Sequence, residues 1–205
     1  MTVLAFDLDG TLSDPAQGIT TSINYALENL RASTIAPHNL TQYIGPPLSR
    51  TFAQLLNTED EAVISQAVAL YRERYRTIGY TENILYPGIP DLLKELTNQG
   101  HRLYVVTAKP TDIAQAVIDY FALRPYFIDV WGCRLDRNKA ELLRDIQEQE
   151  HTDLWMIGDR ASDMAAGQGF TRCLGGLWGY GSLAELEQAG ADALIHTPSE
   201  LLKLI

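Results

Sequence analysis

Cysteine is nearly absent from this chain, and the two that occur, Cys133 and Cys173, stand apart with no Cys-x-x-Cys pair. A disulfide framework or thiolate zinc site is thereby argued against, and free thiols on buried segments are expected. The four histidines, His38, His101, His151 and His196, show no ligand spacing. Positive charge is also scarce: 16 lysines and arginines face 26 aspartates and glutamates, a formal net charge of −10 without any basic cluster. This speaks against a nucleic-acid or anionic-membrane surface. No apolar run is long enough for a bilayer, no basic start leads into an apolar secretory segment, and no repeat occurs. The expectation left standing is a cytoplasmic protein, monomer or homodimer, acting on a small molecule. Its 205 residues suffice for one core domain and an accessory one.

What is present starts at residues 5–12, AFDLDGTL. Val3 to Phe6 reads as a short buried strand, after which Gly10 lets the chain turn, with small Thr11 beside it. Asp7 is thereby aimed out of the end of the strand. A carboxylate so placed can attack phosphorus and give an aspartyl phosphate, dividing one slow hydrolysis into two easier steps. Asp9 can protonate the leaving alkoxide and later take a proton from the attacking water. Both acids beside a phosphate dianion require a cation. A hairpin turn is the alternative explanation of Asp-Gly. A calcium loop does not: aligning Gly10 with that loop's glycine puts Ala5 and Ala16 at its first and last ligand positions.

Residues 154–163, LWMIGDRASD, supply a second acidic strand end. Leu154 to Ile157 reads as a strand and Gly158 as a turn, with a helix starting near Arg160 or Ala161. Asp159 is then placed to hold a hard cation. Asp163 can bind that ion directly or through water, orient its neighbours, or simply complement the positive end of the helix. Between the two acidic runs, LYVVTAKPTD (103–112) ends a β-branched strand at Thr107, next to Ala108. The Thr107 hydroxyl either holds a phosphate oxygen or caps the turn. Lys139 opens a helix packed through Leu142, Leu143 and Ile146, and is the candidate cation against phosphate. Lys109 competes for that role, although Pro110 is expected to turn it away.

Apolar strand runs alternate with the helical patterns Pro90–Gln99, Thr111–Phe121 and Asn138–Glu148. The fold class is therefore α/β, a Rossmann-like parallel sheet with helices on both faces. Ligands of such sheets bind outside the carboxyl ends of the strands, where Asp7, Thr107 and Asp159 all fall. Residues 14–84 break the alternation and read as an inserted helical cap, leaving 1–13 and 85–205 as the core. Ile19, Ile23, Ala26, Leu27 and Leu30 mark one cap helix and Val63, Ala67, Leu70 and Tyr71 another, with Gly45-Pro46-Pro47 as an elbow. A cap can exclude water and select the leaving group, or be a structural subdomain only. Arg50 can reach a substrate anion through its planar fork or be an exposed helix arginine.

Asp7-Leu8-Asp9-Gly10-Thr11, Thr107, Lys139 and Gly158-Asp159 with Asp163 occur in the order of the four motifs of the haloacid dehalogenase superfamily, which the chain resembles over nearly its whole length. The resemblance implies that Asp7 is the nucleophile and Asp9 the acid/base, that Thr107, Ala108 and Lys139 bind the phosphoryl group, and that Mg2+ is held by Asp7, Asp159 and the backbone carbonyl of Asp9. Asp-Gly-Thr after the nucleophile resembles the phosphatase branches. Tyr43-Ile44-Gly45-Pro46-Pro47-Leu48, Pro125-Tyr126-Phe127 and Trp178-Gly179-Tyr180-Gly181 resemble the phosphoglycolate phosphatase-like group. Lys109-Pro110 and Gly158-Asp159-Arg160 are more similar to a neighbouring branch of nucleotidases and general phosphatases, and Asn138-Lys139-Ala140 lacks the lysine-proline pair of phosphoglycolate phosphatases. The expected activity is magnesium-dependent hydrolysis of a small phosphorylated metabolite, 2-phosphoglycolate or a nucleotide or pyrophosphate. The rival of another class is a phospho-acceptor signalling module. Its accepting aspartate, however, lies on a later strand than its paired acids, whereas Asp9 stands two residues beyond Asp7.

Overall fold

The computed structural model describes residues 1–133 and 137–205. Along the chain run Val3–Phe6 (β1), Ser13–Asp14 (β2), Ala16–Asn29 (α1), Pro37–Leu40 (α2), Leu48–Leu55 (α3), Glu61–Thr77 (α4), Ile84–Leu85 (β3), Ile89–Asn98 (α5) and Arg102–Thr107 (β4). Then come Thr111–Tyr120 (α6), Asp129–Gly132 (β5), Lys139–Glu150 (α7), Leu154–Gly158 (β6), Ala161–Gly167 (α8), Arg172–Gly176 (β7), Leu183–Gln188 (α9) and Ala193–Ile195 (β8). The chain divides into two compact units, Met1–Asp14 with Leu85–Ile205, and Pro15–Ile84.

In the first unit, β1 is apolar and buried at every position, as a strand with both faces covered must be. It lies inside a six-stranded sheet of order β5-β4-β1-β6-β7-β8, and each strand pair is parallel. Parallel neighbours need a crossover, and the helices between successive strands supply it. One face packs Tyr104, Val106, Leu142, Leu143, Ile146, Met156 and Met164 into a continuous core. Register sets up the site. Phe6 lies opposite Val105 on β4 and Ile157 on β6, so Asp7, Thr107 and Asp159 all follow within two residues of the same level. The Asp7 N–H keeps the ladder, donating to Ile157 O at 2.8 Å. The short strands β2 and β3 pair as a separate ribbon.

The second unit is helical. α1 packs along α4, and Ile23, Ala26, Leu40, Phe52 and Ala67 are fully buried. Tyr71 stacks on Tyr75 with centroids 5.4 Å apart and meets Phe52 edge-on at 6.3 Å. Helices α2 and α3 lie on either side of the Gly45-Pro46-Pro47 elbow, between the two helices that the sequence pattern marks. Each is short; Pro37 is the first residue of α2 and Pro47 immediately precedes α3. Among the described residues, no helix is long and apolar enough to cross a membrane.

Candidate active site

The site is built at the carboxyl ends of β1, β4 and β6. Past Asp7 the chain turns at Gly10, whose φ of +88° suits glycine and where a Cβ would overlap the Asp159 carboxylate. Asp159 follows β6 and is fully buried. Its Oδ1 accepts the Thr11 hydroxyl at 3.0 Å, and its Oδ2 accepts the Tyr180 N–H at 2.8 Å. Burial first, then the Asp7 and Asp163 charges, push its pKa up to about 7, against those two donors.

Asp163, in the first turn of α8, spends one oxygen on the loop: Oδ2 accepts the N–H groups of Asp159 and Arg160 at 3.1 and 3.0 Å. Such donors are the open ends of a helix start. Its Oδ1 bonds the Lys139 ammonium. Lys139 is the first residue of α7, fixed there by a capping box in which Asn138 Oδ1 accepts Glu141 N–H at 3.1 Å and Glu141 Oε2 accepts Asn138 N–H at 2.8 Å. Lys139 Nζ also stands 3.0 Å from Asp7 Oδ1. Burial alone would lower its pKa, but the carboxylates of Asp163 and Asp7 outweigh burial and hold it above the ordinary lysine value.

Asp9 is held from the other side. Lys109 Nζ lies 2.6 Å from Asp9 Oδ2, while Asp9 Oδ1 is buried and has no hydrogen-bond partner among the described residues. Burial raises the Asp9 pKa and Lys109 opposes the rise. The expectation that Pro110 turns Lys109 away is therefore overturned, because proline constrains its own φ and the backbone before it and leaves the lysine's long side chain free to fold back. Thr107 is buried at the end of β4, and its hydroxyl accepts the Lys109 N–H at 3.3 Å, while Ala108 beside it is exposed.

Asp7, Asp159, Asp163 and Lys139 are thus drawn together by direct distances, and Asp9 is joined to Lys109. Arg50 is an exposed residue of α3, in the helical unit. Three roles escaped the sequence reading. Thr11 had been read as a small turn residue and is an Asp159 donor; Tyr180 offers its backbone; and Trp178 Nε1 donates to Thr11 O at 3.0 Å. The signal for the last two was glycine content alone. A Cβ at Gly179 would overlap Gly10 O and Asp159, so the loop must be bare to come that close. Cys173 is buried and Cys133 half-buried, both as free thiols.

Asp7, Asp159 and Asp163 each offer one carboxylate oxygen, all within 4.8 Å of one another and all buried. Hard oxygen donors suit Mg2+, Mn2+ or Ca2+ rather than a soft metal. Charge points the same way, since four acids around two lysines leave negative charge that burial makes costly. The residues fit a divalent cation.

Comparison with known proteins bears on the chemistry. A family model described as haloacid dehalogenase-like hydrolase matches residues 4–171. A 5'-nucleotidase of Pseudomonas aeruginosa is 40% identical over 190 residues, covering 89% of this chain and 86% of that protein. A phosphoglycolate phosphatase of Aquifex aeolicus is 30% identical over 214 residues, covering 100% of this chain and 97% of that one. The crystal structure of a predicted phosphatase from Clostridium acetobutylicum matches with a TM-score of 0.89 at 34% identity, covering 99% and 97% of the two chains.

Proposed function

Given that the chain belongs to the haloacid dehalogenase-like hydrolase family and is a phosphatase within it, we propose that it hydrolyses nucleoside 5'-monophosphates through an aspartyl phosphate on Asp7. The observation that carries the mechanism is the division of the acids. Lys139 stands against Asp7 and Asp163, while Asp9 keeps one buried oxygen that has no hydrogen-bond partner among the described residues.

In the first step an Asp7 oxygen attacks phosphorus, the bond from phosphorus to the leaving oxygen breaks, and Asp9 gives that oxygen its proton. In the second, water attacks the phosphorus, Asp9 takes the water's proton, and Asp7 leaves as carboxylate. Lys139, the Thr107 hydroxyl and the Ala108 N–H bind the phosphoryl oxygens. Asp7, Asp159 and the Asp9 carbonyl would hold Mg2+, with Asp163 supporting both the ion and Lys139. The ion supplies charge neutralisation for the phosphoryl group when bound. Residues 15–84 act as a cap that excludes water, and Arg50 meets an anionic group of the substrate.

The nucleotide is preferred because Lys109-Pro110 and Gly158-Asp159-Arg160 resemble the nucleotidase branch and the Pseudomonas aeruginosa 5'-nucleotidase is 40% identical. The second reading, 2-phosphoglycolate, draws on the Tyr43 to Leu48 elbow and on the full-length Aquifex aeolicus relative. Phosphate release with Mg2+ from 5'-nucleotides, 2-phosphoglycolate, pyrophosphate and sugar phosphates tests this, with Asp7→Asn as control. A preference for 5'-nucleotides supports the first reading and a preference for 2-phosphoglycolate the second. Undiminished turnover by Asp7→Asn would refute the mechanism.

A further inference from the structure

We infer that Lys109 is a positioning residue for Asp9, holding one oxygen of that carboxylate so that the other stays available for proton transfer. The inference rests on Asp9 serving as the acid/base. Lys109 and Lys139 pair with different acids of the site. Lys139 engages Asp7 and Asp163, whereas Lys109 Nζ sits 2.6 Å from Asp9 Oδ2. The Lys109 and Asp9 side chains are only 7% and 17% exposed, so water competes little for the pair. A carboxylate tethered through one oxygen loses its freedom to rotate, and the untethered Asp9 Oδ1 is the oxygen that is buried and has no partner among the described residues. This is the arrangement a proton-transfer group needs: one oxygen fixed and one bare.

The mount of Lys109 is itself rigid. Its N–H is held by the Thr107 hydroxyl at 3.3 Å, and Cys133 N–H donates to Thr107 O at 2.9 Å. Two residues on, Thr111 Oγ1 donates to Gly132 O at 3.1 Å. A Cβ at Gly132 would overlap the Lys109 carbonyl and the Thr111 nitrogen, so the edge strand β5 packs directly on this loop.

The test compares kcat/KM, which reports the steps up to loss of the leaving group, for a nucleoside 5'-monophosphate and for 4-nitrophenyl phosphate, whose leaving group needs no proton. Lys109→Met should lower kcat/KM for the nucleotide by about 30- to 100-fold, and for the nitrophenyl ester at least tenfold less, because general acid catalysis contributes roughly 100- to 10,000-fold and misorientation forfeits part of it. Lys109→Arg should recover part of the difference, and it carries the test if Lys109→Met does not fold. Inhibition by inorganic phosphate should be nearly unmoved. Equal losses on both esters with weaker phosphate inhibition would make Lys109 a phosphate ligand and overturn the inference, as would no loss on either. The Asp9→Asn enzyme separates the two layers. Without leaving-group dependence in Asp9→Asn, the acid/base assignment fails. With it there and absent in Lys109→Met, only the Lys109 assignment fails.

Discussion

Lys139 at the start of α7 and Asp163 in the first turn of α8 form a buried ion pair that spans two helices. Because the other Asp163 oxygen takes the N–H groups of Asp159 and Arg160, the pair ties the lysine facing Asp7 to the loop that carries Asp159. The proposed nucleophile, the lysine and the candidate metal ligand thus share one polar network, in which each buried group is held by another.

Removing Lys139 should therefore cost stability as well as rate. Lys139→Met leaves Asp163 and Asp7 buried without their ammonium, and breaking a buried pair from one side costs about 3–5 kcal/mol. Urea unfolding should show a loss in that range, together with turnover lowered by at least about 100-fold. A Lys139→Met protein as stable as the parent would show that the pair does not hold the two helices together.

Thr11 should act through Asp159. Thr11→Val keeps the shape but deletes the hydroxyl donor 3.0 Å from Asp159 Oδ1. Loss of such a partner to a metal-binding carboxylate typically weakens metal affinity about 10- to 100-fold. Magnesium titration of the activity should shift to higher concentration by that factor, with kcat at saturating magnesium reduced much less. An unshifted titration would remove Thr11 from the support of the metal site.

Asp159 sets a pH dependence whose sign follows from its shift. Its pKa rises from 3.8 to about 7 on folding, so between those values the native protein keeps a proton that the unfolded chain gives up. The stability linked to that proton is complete below pH 3.8 and is lost as pH rises through 7. Asp159→Asn, which cannot ionise, should consequently be more stable than the parent at pH 8 in chelator. With one pKa unit worth about 1.4 kcal/mol, a gain of about 1–2 kcal/mol is expected, or several degrees in Tm. At pH 5 the gain should shrink, and the rise in Tm that magnesium gives the parent should be absent from the variant. A difference in stability independent of pH would contradict the raised pKa.

The legible parts of this molecule are those whose signal is local. Val3 to Phe6, Leu103 to Val106 and Leu154 to Ile157 are apolar runs followed within two residues by Asp7, Thr107 and Asp159, and their register alone brings these three to one edge. The Lys139 helix start was readable for the same reason. Strands β7 and β8 and helix α9 were not. β7 ends in Gly175 and Gly176, which pack against Leu194, Leu186 and Trp178 where a side chain would not fit, so the strand lacks the apolar run that would announce it. The partners of Asp159 were hidden by distance. Thr11 is 148 residues away along the chain, and Tyr180 contributes a backbone N–H that any residue but proline would carry. Lys109 was noticed, yet its partner could not be chosen from spacing, because a four-carbon side chain reaches several acids from one backbone position.

The covalent step proposed for Asp7 is open to a direct measurement: rapid acid quench of Asp9→Asn turning over 4-nitrophenyl phosphate, followed by peptide mass analysis. This leaving group departs without an acid, while the second step lacks its base, so the phosphoryl-enzyme should accumulate. The expected result is the mass of one phosphoryl group on the peptide that contains Asp7, and its absence when Asp7→Asn is added. An unmodified peptide during steady turnover, or a phosphoryl group on another residue, would contradict Asp7 as the nucleophile.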